Sequence, residues 1–198
     1  QASLKRLKIK KLEILYLHNS KDLIDKKKKF KVYEALKKAK KLNLIKKIGI
    51  SVYSKNDLIK IINQFKIEAV QLPYSLIDRR FEKTFLLLKK KNISIQVRSI
   101  FLQGLLLQNF NEIPKYFLKF KEIIKFEEWI KKNKISKMEA SINFIKSSKY
   151  INSIVIGFNN IVQLKQITQC FNKKKFFYPK NIHSKNINLI DPRKWKVN

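Results

Sequence analysis

The chain has 198 residues, of which 46 are lysine or arginine and 14 are aspartate or glutamate, and its formal net charge is +32 at pH 7. This length suffices for one domain with a sizeable core and is short for most two-domain enzymes. The single cysteine excludes an internal disulfide and a cysteine-rich zinc cluster, and no run of about 18 apolar residues indicates a membrane span.

The positive charge leaves two interpretations open. Counterion release on phosphate favours a nucleic-acid-binding protein for such an excess. However, the cations are mostly lysine, whereas phosphate and base recognition favours the planar fork of arginine. Abundant isoleucine and asparagine with only three glycines are typical of an AT-rich genome. We therefore predict no specific nucleic-acid partner, and a basic nucleic-acid-binding protein stays an alternative.

The first predicted strand ends on a histidine. Residues 12–19 form a short apolar run that closes with His18 and Asn19, and its length and composition predict a buried parallel strand. His18 would then lie at the rim of a sheet, where an imidazole can act as acid, base or hydrogen-bond donor near neutral pH. Taken alone, this stretch favours the alternative that His18 is a loop residue without a function.

Helices and strands alternate after this segment. In chain order, the pattern predicts a helix at residues 30–42, a strand at 45–51, a helix at 55–65, a strand at 68–72, a helix at 80–91, a strand at 93–99, helices at 120–129 and 136–147, a strand at 152–157 and a helix at 160–171. Ser54 is the predicted N-cap of the helix that follows it. Beyond residue 173 the chain is polar and basic, and we expect a surface arm anchored by Trp195.

The order of these elements predicts an α/β fold. Five strands alternate with helices and no hairpin signal intervenes, which favours parallel strands joined by right-handed crossovers. No strand is followed by the glycine-rich phosphate turn of an open dinucleotide-binding sheet. Side chains at the carboxyl ends of successive strands are instead typical of a (β/α)₈ TIM barrel, of which about five of eight units are present. The strand ends are His18, Ser51, Gln71, Arg98 with Ser99, and Gly157.

In their order, these strand ends resemble the aldo-keto reductase family from its fourth strand onward. The matching segments are residues 4–7 with 15–18, 48–51, 70–80, 97–99 with 103–106, and 154–157 with 159–160 and 163–164. The resemblance implies that residues 1–180 are a barrel portion without its N-terminal strands, and that residues 181–198 are a basic tail anchored near Trp195. Residues 98–106 and 191–195 also resemble bacterial reductases of surface-sugar biosynthesis.

The resemblance implies a cytoplasmic oxidoreductase that reduces an aldehyde or ketone with NADPH or, less usually, NADH. His18 matches the histidine that orients the carbonyl in that family. The family's general-acid tyrosine, with its lysine and aspartate, lies on strands that would precede Gln1. We therefore expect this chain to be a fragment that is inactive alone, with a small carbonyl substrate and neither metal nor membrane as partner. A non-enzymatic barrel relative with a binding or regulatory role is the other alternative.

The nicotinamide end of the cofactor is assigned by the same resemblance. Ser51 and Gln71 match residues that bind the carboxamide, although Val52 stands where the family often has asparagine. Arg98 replaces the aromatic residue on which the nicotinamide ring usually stacks, and a planar guanidinium can stack as well. The residues alone favour a different interpretation, in which Ser51 and Gln71 are satisfied strand-end polar residues and Arg98 pairs with a loop carboxylate; the cofactor roles depend on the resemblance.

The resemblance assigns the phosphate end of the cofactor to residues of two predicted loops. Ser99 and Gln103 would face the pyrophosphate. Gln163 stands for the arginine that commonly meets the adenosine 2′-phosphate, and Lys165 is a substitute cation. Backbone amides that open a helix suit a phosphate, and here they belong to Gly157, Asn159 and Asn160.

Overall fold

The computed structural model describes residues 2–171 and 178–196. The chain divides into two compact units: the first comprises Gln1–Leu72 and Lys83–Gln96, and the second comprises Pro73–Glu82 and Val97–Asn198. Within the described ranges, no helix has the length and apolar character needed to cross a bilayer.

The strands follow one another in space as they do in sequence. They are β1 (Leu12–Leu17), β2 (Ile45–Ser51), β3 (Ala69–Pro73), β4 (Ser94–Arg98) and β5 (Ser153–Ile154), and they form a five-stranded sheet in that order. β1 and β3 both pair with β2 in parallel, so that Leu17 lies opposite Ile50 and Ser51 opposite Gln71. A sequential parallel order with helices between the strands confirms the predicted α/β class, because parallel neighbours are joined by crossover connections that are usually helical.

The first unit contains four helices in its described part: α1 (Ala2–Leu7), α2 (Lys29–Lys41), α3 (Lys55–Gln64) and α4 (Phe85–Lys90). In α3 the buried residues Leu58, Ile61 and Ile62 recur at helical spacing. Ser54 caps this helix as predicted, since its hydroxyl accepts the Asp57 N–H at 3.3 Å. The helix bounds therefore follow from local sequence.

Gly49 on β2 permits a close approach that no other residue would allow. A Cβ at this position would lie 2.6 Å from Cδ1 of Tyr16, its partner on β1. The Tyr16 ring thus covers the glycine, and partial burial raises the pKa of the Tyr16 phenol to about 12. Tyr16 is a packing residue that stays protonated at neutral pH.

The second unit contains the remaining helices: α5 (Lys115–Leu118), α6 (Lys121–Asn133), α7 (Lys137–Lys146), α8 (Ile161–Phe171) and α9 (Ile187–Ile190). α7 packs against α8. Its predicted start is confirmed, because the Ser136 hydroxyl accepts the Glu139 N–H at 3.1 Å. Like the cap of α3, this hydrogen bond joins residues three positions apart and is predictable from local sequence.

Two predicted elements are markedly shorter in the structure than predicted. The α-helix predicted at residues 80–91 begins only at Phe85 and is preceded by a 3-10 helix at Glu82–Thr84. Before that, the Asp78 carboxylate accepts the Arg80 N–H at 3.3 Å in a turn. The strand predicted at residues 152–157 is reduced to Ser153–Ile154. Val155 still donates its N–H to Val97 at 2.8 Å, but the chain then leaves the sheet to border a cavity.

The C-terminal segment is buried to a degree that a surface arm would not be. Leu189, Ile190 and Asp191 are each 3% exposed or less. The indole N–H of Trp195 donates to the Leu189 carbonyl at 2.9 Å, and the ring meets Phe117 edge-on at 4.6 Å. The expectation of a surface arm is therefore wrong for these residues, whereas the division at residue 180 stays a prediction.

Candidate functional site

The second unit contains a cavity of about 610 Å³. This volume falls in the range of roughly 300–1,000 Å³ typical of small-molecule and cofactor sites. It lies between the loop that follows β4 and the loop that precedes α8. Among its lining residues are most of the predicted cofactor residues: Arg98, Ser99, Gln103, Gly157, Asn159 and Gln163.

The loop after β4 is held in an unusual backbone conformation. Ser99, Leu102 and Gln103 have φ angles of 56°, 49° and 54°, and Gly104 follows with 85°. L-residues rarely adopt this left-handed region, and its strain concentrates at ligand-binding and catalytic sites. The turn is closed by the Leu102 N–H, which donates to the Ser99 carbonyl at 2.8 Å. As a result, Ser99 and Gln103 border the same cavity.

The loop before α8 satisfies part of its own backbone. The Asn160 side chain accepts the Gln163 N–H at 2.9 Å, and the Gln163 side chain accepts the Asn159 N–H at 2.8 Å. Asn160 therefore caps α8 and is not among the residues that line the cavity. The Asn159 N–H, a predicted phosphate donor, is already bonded within the loop.

The cavity also involves residues that sequence reasoning missed. Gln166 lies one turn beyond Gln163 on α8, so the same helical spacing could have identified it. Phe101 and Phe158 contribute aromatic surface from the two loops. Met138 comes from α7, and no local pattern links that helix to α8.

The first unit brings Ser51, the last residue of β2, into contact with Gln71, which lies two residues before the end of β3 and not at the predicted strand end. The Ser51 hydroxyl donates to the Gln71 side-chain oxygen at 3.3 Å. The Gln71 amide then donates to the side-chain oxygen of Gln96 at 2.8 Å. Gln96 is a residue that sequence reasoning missed. An amide has two donor hydrogens and two acceptor lone pairs, so this chain of hydrogen bonds retains capacity for a further polar group.

His18 follows β1 directly and is exposed. Because Leu17 lies opposite Ile50, His18 and Ser51 are the next residues along two paired strands. Their side chains therefore belong to the same carboxyl edge of the sheet in the first unit. An exposed imidazole at that edge can donate a hydrogen bond to a ligand.

The chemistry of the cavity suits binding. Arg98 supplies a guanidinium that donates to the Ser99 hydroxyl at 3.5 Å, and amides and aromatic rings form the rest of its polar and flat surface. These groups can hold a phosphate, hydroxyls and a planar ring. In residues 2–171 and 178–196 no group of three or more histidine, cysteine, aspartate or glutamate side chains could hold a metal ion.

Comparisons with a family model, a curated protein and solved structures all find oxidoreductases or aldo-keto reductases. The model of the aldo/keto reductase family matches residues 1–178. The uncharacterized oxidoreductase YqkF of Bacillus subtilis (strain 168) is 26% identical over 185 residues, which are 87% of this chain and 59% of that protein. The apo form of aldo-keto reductase AKR11C1 from Bacillus halodurans has a TM-score of 0.77 at 22% identity, over 89% of this chain and 62% of that one.

The holo form of AKR11C1 from Bacillus halodurans gives a TM-score of 0.74 at 21% identity, over 89% of this chain and 60% of that one. The chain thus spans about three-fifths of the length of these relatives. The structural likeness confirms the predicted α/β fold class of the TIM-barrel type.

Proposed function

The chain belongs to the aldo/keto reductase family, and from this premise we propose that it contributes the nicotinamide-nucleotide site of an oxidoreductase that reduces an aldehyde or ketone to an alcohol. The observation that carries the proposal is the cavity of the second unit, which most of the predicted cofactor residues line. A nicotinamide nucleotide, when bound, supplies the hydride for this reaction.

The cavity residues fit the phosphate portion of such a nucleotide. Arg98 offers a charge-assisted hydrogen bond to phosphate, and Ser99 and Gln103 offer neutral donors from the strained loop. A loop whose conformation is held by its own backbone hydrogen bonds needs little ordering on binding, which favours affinity. We assign Gly157 to close backbone approach, because no atom lies within 4 Å of the position of its missing Cβ.

In the first unit we assign Ser51 and Gln71 to the nicotinamide carboxamide. Their linked hydroxyl and amide can pair with a group that both donates and accepts hydrogen bonds. We assign His18 to the substrate, where its exposed imidazole would donate to the carbonyl oxygen and orient it.

We propose that this chain alone does not turn over substrate. None of its residues matches the general-acid tyrosine, the lysine or the aspartate that the family resemblance implies. Tyr16 does not replace that tyrosine, because its ring is packed over Gly49 and burial raises the pKa of its phenol to about 12. Loss of general acid catalysis typically costs about 10²–10⁴-fold in rate.

The decisive experiment is a titration of NADPH and NADH fluorescence with the purified chain. We expect saturable binding, and we expect Arg98→Leu to weaken it about tenfold or more, because a charge-assisted hydrogen bond to phosphate is lost. Lys131→Leu, which removes an exposed cation from α6 outside the cavity lining, is the matched control and should leave binding unchanged. An absence of saturable binding by the folded chain would refute the proposal.

The small carbonyl substrate is to be identified with a panel of aldehydes and ketones. We propose a cytoplasmic, bacterial setting for the enzyme. The single cysteine, Cys170, which is buried and free, supports a reducing compartment. Both relatives described above are bacterial.

A further inference from the structure

The cavity of the second unit carries little positive charge for so basic a chain. Of 46 lysines and arginines in the sequence, Arg98 is the single one among the described lining residues, and no carboxylate accompanies it there. The remaining polar side chains are the Ser99 hydroxyl and the amides of Gln103, Asn159, Gln163 and Gln166. Neutral amides pair well with hydroxyl groups, whereas a phosphate monoester, with a charge of about −1.5 to −2 at pH 7, requires cations.

The backbone of the α8 loop does not make up for this lack of charge. The N–H groups of Asn159 and Gln163 are already bonded to side chains of the same loop, at 2.8 and 2.9 Å. A phosphate could use them only by displacing these side chains, and each displaced group would lose a hydrogen bond. Two of the N–H groups that could receive an anion at this loop are therefore already satisfied.

The lysine nearest in sequence to Gln163 also lies outside the cavity lining. Lys165, the predicted substitute cation, is exposed on α8 and is not among the lining residues, although its neighbours Gln163 and Gln166 are. On this helix the face toward the cavity presents amides, and the charge lies elsewhere.

From these features we infer that the cavity favours NADH, whose adenosine has a free 2′-hydroxyl, over NADPH, whose adenosine carries a 2′-phosphate. The inference rests on the proposed function of the cavity as a nucleotide site. Arg98 can offset part of the pyrophosphate charge that both cofactors share. The 2′-phosphate would then meet neutral amides, whereas a 2′-hydroxyl can both donate to and accept from them.

The test is equilibrium binding of four probes to the purified chain by fluorescence and calorimetry. They are NADH, NADPH, adenosine 5′-monophosphate and adenosine 2′,5′-bisphosphate. We expect NADH to bind at least about tenfold more tightly than NADPH, because the additional charge is desolvated without a partner. The two adenosine probes should show the same order, without any contribution from the nicotinamide.

The variant Gln163→Arg should reverse this order. It introduces a cation into the cavity lining and frees the Asn159 N–H, so NADPH affinity should rise about tenfold or more while NADH affinity changes less than about threefold. The matched control is Gln169→Arg, which makes the same substitution on α8 away from the cavity and should change neither affinity. Circular dichroism verifies that both variants are folded.

The outcomes separate the two proposals. Tighter binding of NADPH than of NADH, or of the bisphosphate than of the monophosphate, overturns the inference and leaves the proposed nucleotide site standing. A folded Gln163→Arg chain with an unchanged preference also overturns it. Failure of all four probes to bind refutes the nucleotide site itself, and the inference with it.

Discussion

Two parts of the second unit differ in whether their polar side chains pair with one another or face a cavity. In what we term the ion network (Asp78, Arg80, Asp191 and Arg193), buried carboxylates are matched by guanidinium groups: Arg80 donates to Asp78 at 2.8 Å, and Arg193 donates to Asp191 at 2.8 Å. The loop at residues 99–104 instead combines strained backbone with side chains that face a cavity. Groups that satisfy one another stabilise the fold, whereas polar groups at a cavity are available to a ligand.

The ion network connects segments far apart in sequence. Arg80 contacts Asp78, donates to the Ile190 carbonyl and lies 3.7 Å from Asp191. Both carboxylates are almost fully buried, with side-chain exposures of 1% and 3%. The C-terminal segment is thereby attached to the loop after β3, because a buried charge must retain its partner.

The largest effect should come from opening the ion network. Asp78→Ala leaves Arg80, whose side chain is 15% exposed, without its principal carboxylate. We expect the free energy of unfolding to fall by about 3–5 kcal/mol, measured by urea denaturation. As a control, Glu34→Ala removes an exposed pair with Lys37 and should leave stability almost unchanged. Equal effects of the two substitutions would contradict a structural role for the network.

The second prediction concerns a buried polar group outside both regions. Asn143 on α7 is 0% exposed, and neither polar atom of its side chain has a hydrogen-bond partner among the described residues. Because an unsatisfied buried amide costs about 1–3 kcal/mol, we expect Asn143→Leu, which introduces an apolar side chain of the same branching, to raise the free energy of unfolding. Thermal and urea unfolding would measure this. Destabilisation by leucine would show that the amide is satisfied in solution.

The third prediction tests the strain of the loop after β4. Gly104 has φ +85°, and no atom lies within 4 Å of the position that a Cβ would occupy, so alanine would be strained there without any clash. We expect Gly104→Ala to lower the free energy of unfolding by about 1 kcal/mol. Gly157→Ala is the matched control, because its Cβ position is equally open and its φ is not left-handed. Similar losses from both substitutions would exclude backbone strain as the cause.

The smallest expected effect is a change in pH dependence. Burial alone would raise the pKa of Asp191, but the hydrogen bonds and charge of Arg193 outweigh it and hold that pKa below its usual range. A lowered pKa in the folded state stabilises the protein above the unfolded value of about 3.9, and this stabilisation is lost as pH falls through the folded pKa. In Arg193→Gln the free energy of unfolding should therefore fall less on acidification than in the wild type.

Urea denaturation of the wild type and of Arg193→Gln at a series of pH values between about 3 and 7 measures this difference. Arg193→Lys retains a cation beside Asp191 and serves as the control, which should keep most of the acid sensitivity. Parallel stability curves for all three proteins would contradict the assignment of the pKa shift to Arg193.

Much of the first unit was predictable because its determinants are local. β2 was predicted with the bounds that the structure has, and the Ser54 cap of α3 depends on a residue three positions away. Ser51 and Gln71 meet because they are register partners on neighbouring parallel strands. The candidate site residues thus followed from strand order together with the family resemblance.

The remaining features depend on contacts between distant segments. The contribution of Met138 to the cavity, and the burial of Asp191 against Arg80, join residues that no periodic pattern relates. The hydrogen bond from the Asn159 N–H to the Gln163 side chain joins residues that are close in sequence. Whether it forms depends on the rotamer of Gln163, which the sequence does not specify.

The amino-acid sequence by itself determined the alternation of strands and helices, the α/β class and the residues that stand at the strand ends. These properties arise from periodicity and capping, which act within a few residues. Only the tertiary structure decided which polar groups are satisfied by one another and which face a cavity. That distinction depends on burial and geometry between distant segments, because a polar group has the same chemistry in either place until its surroundings pair it or leave it open to a ligand.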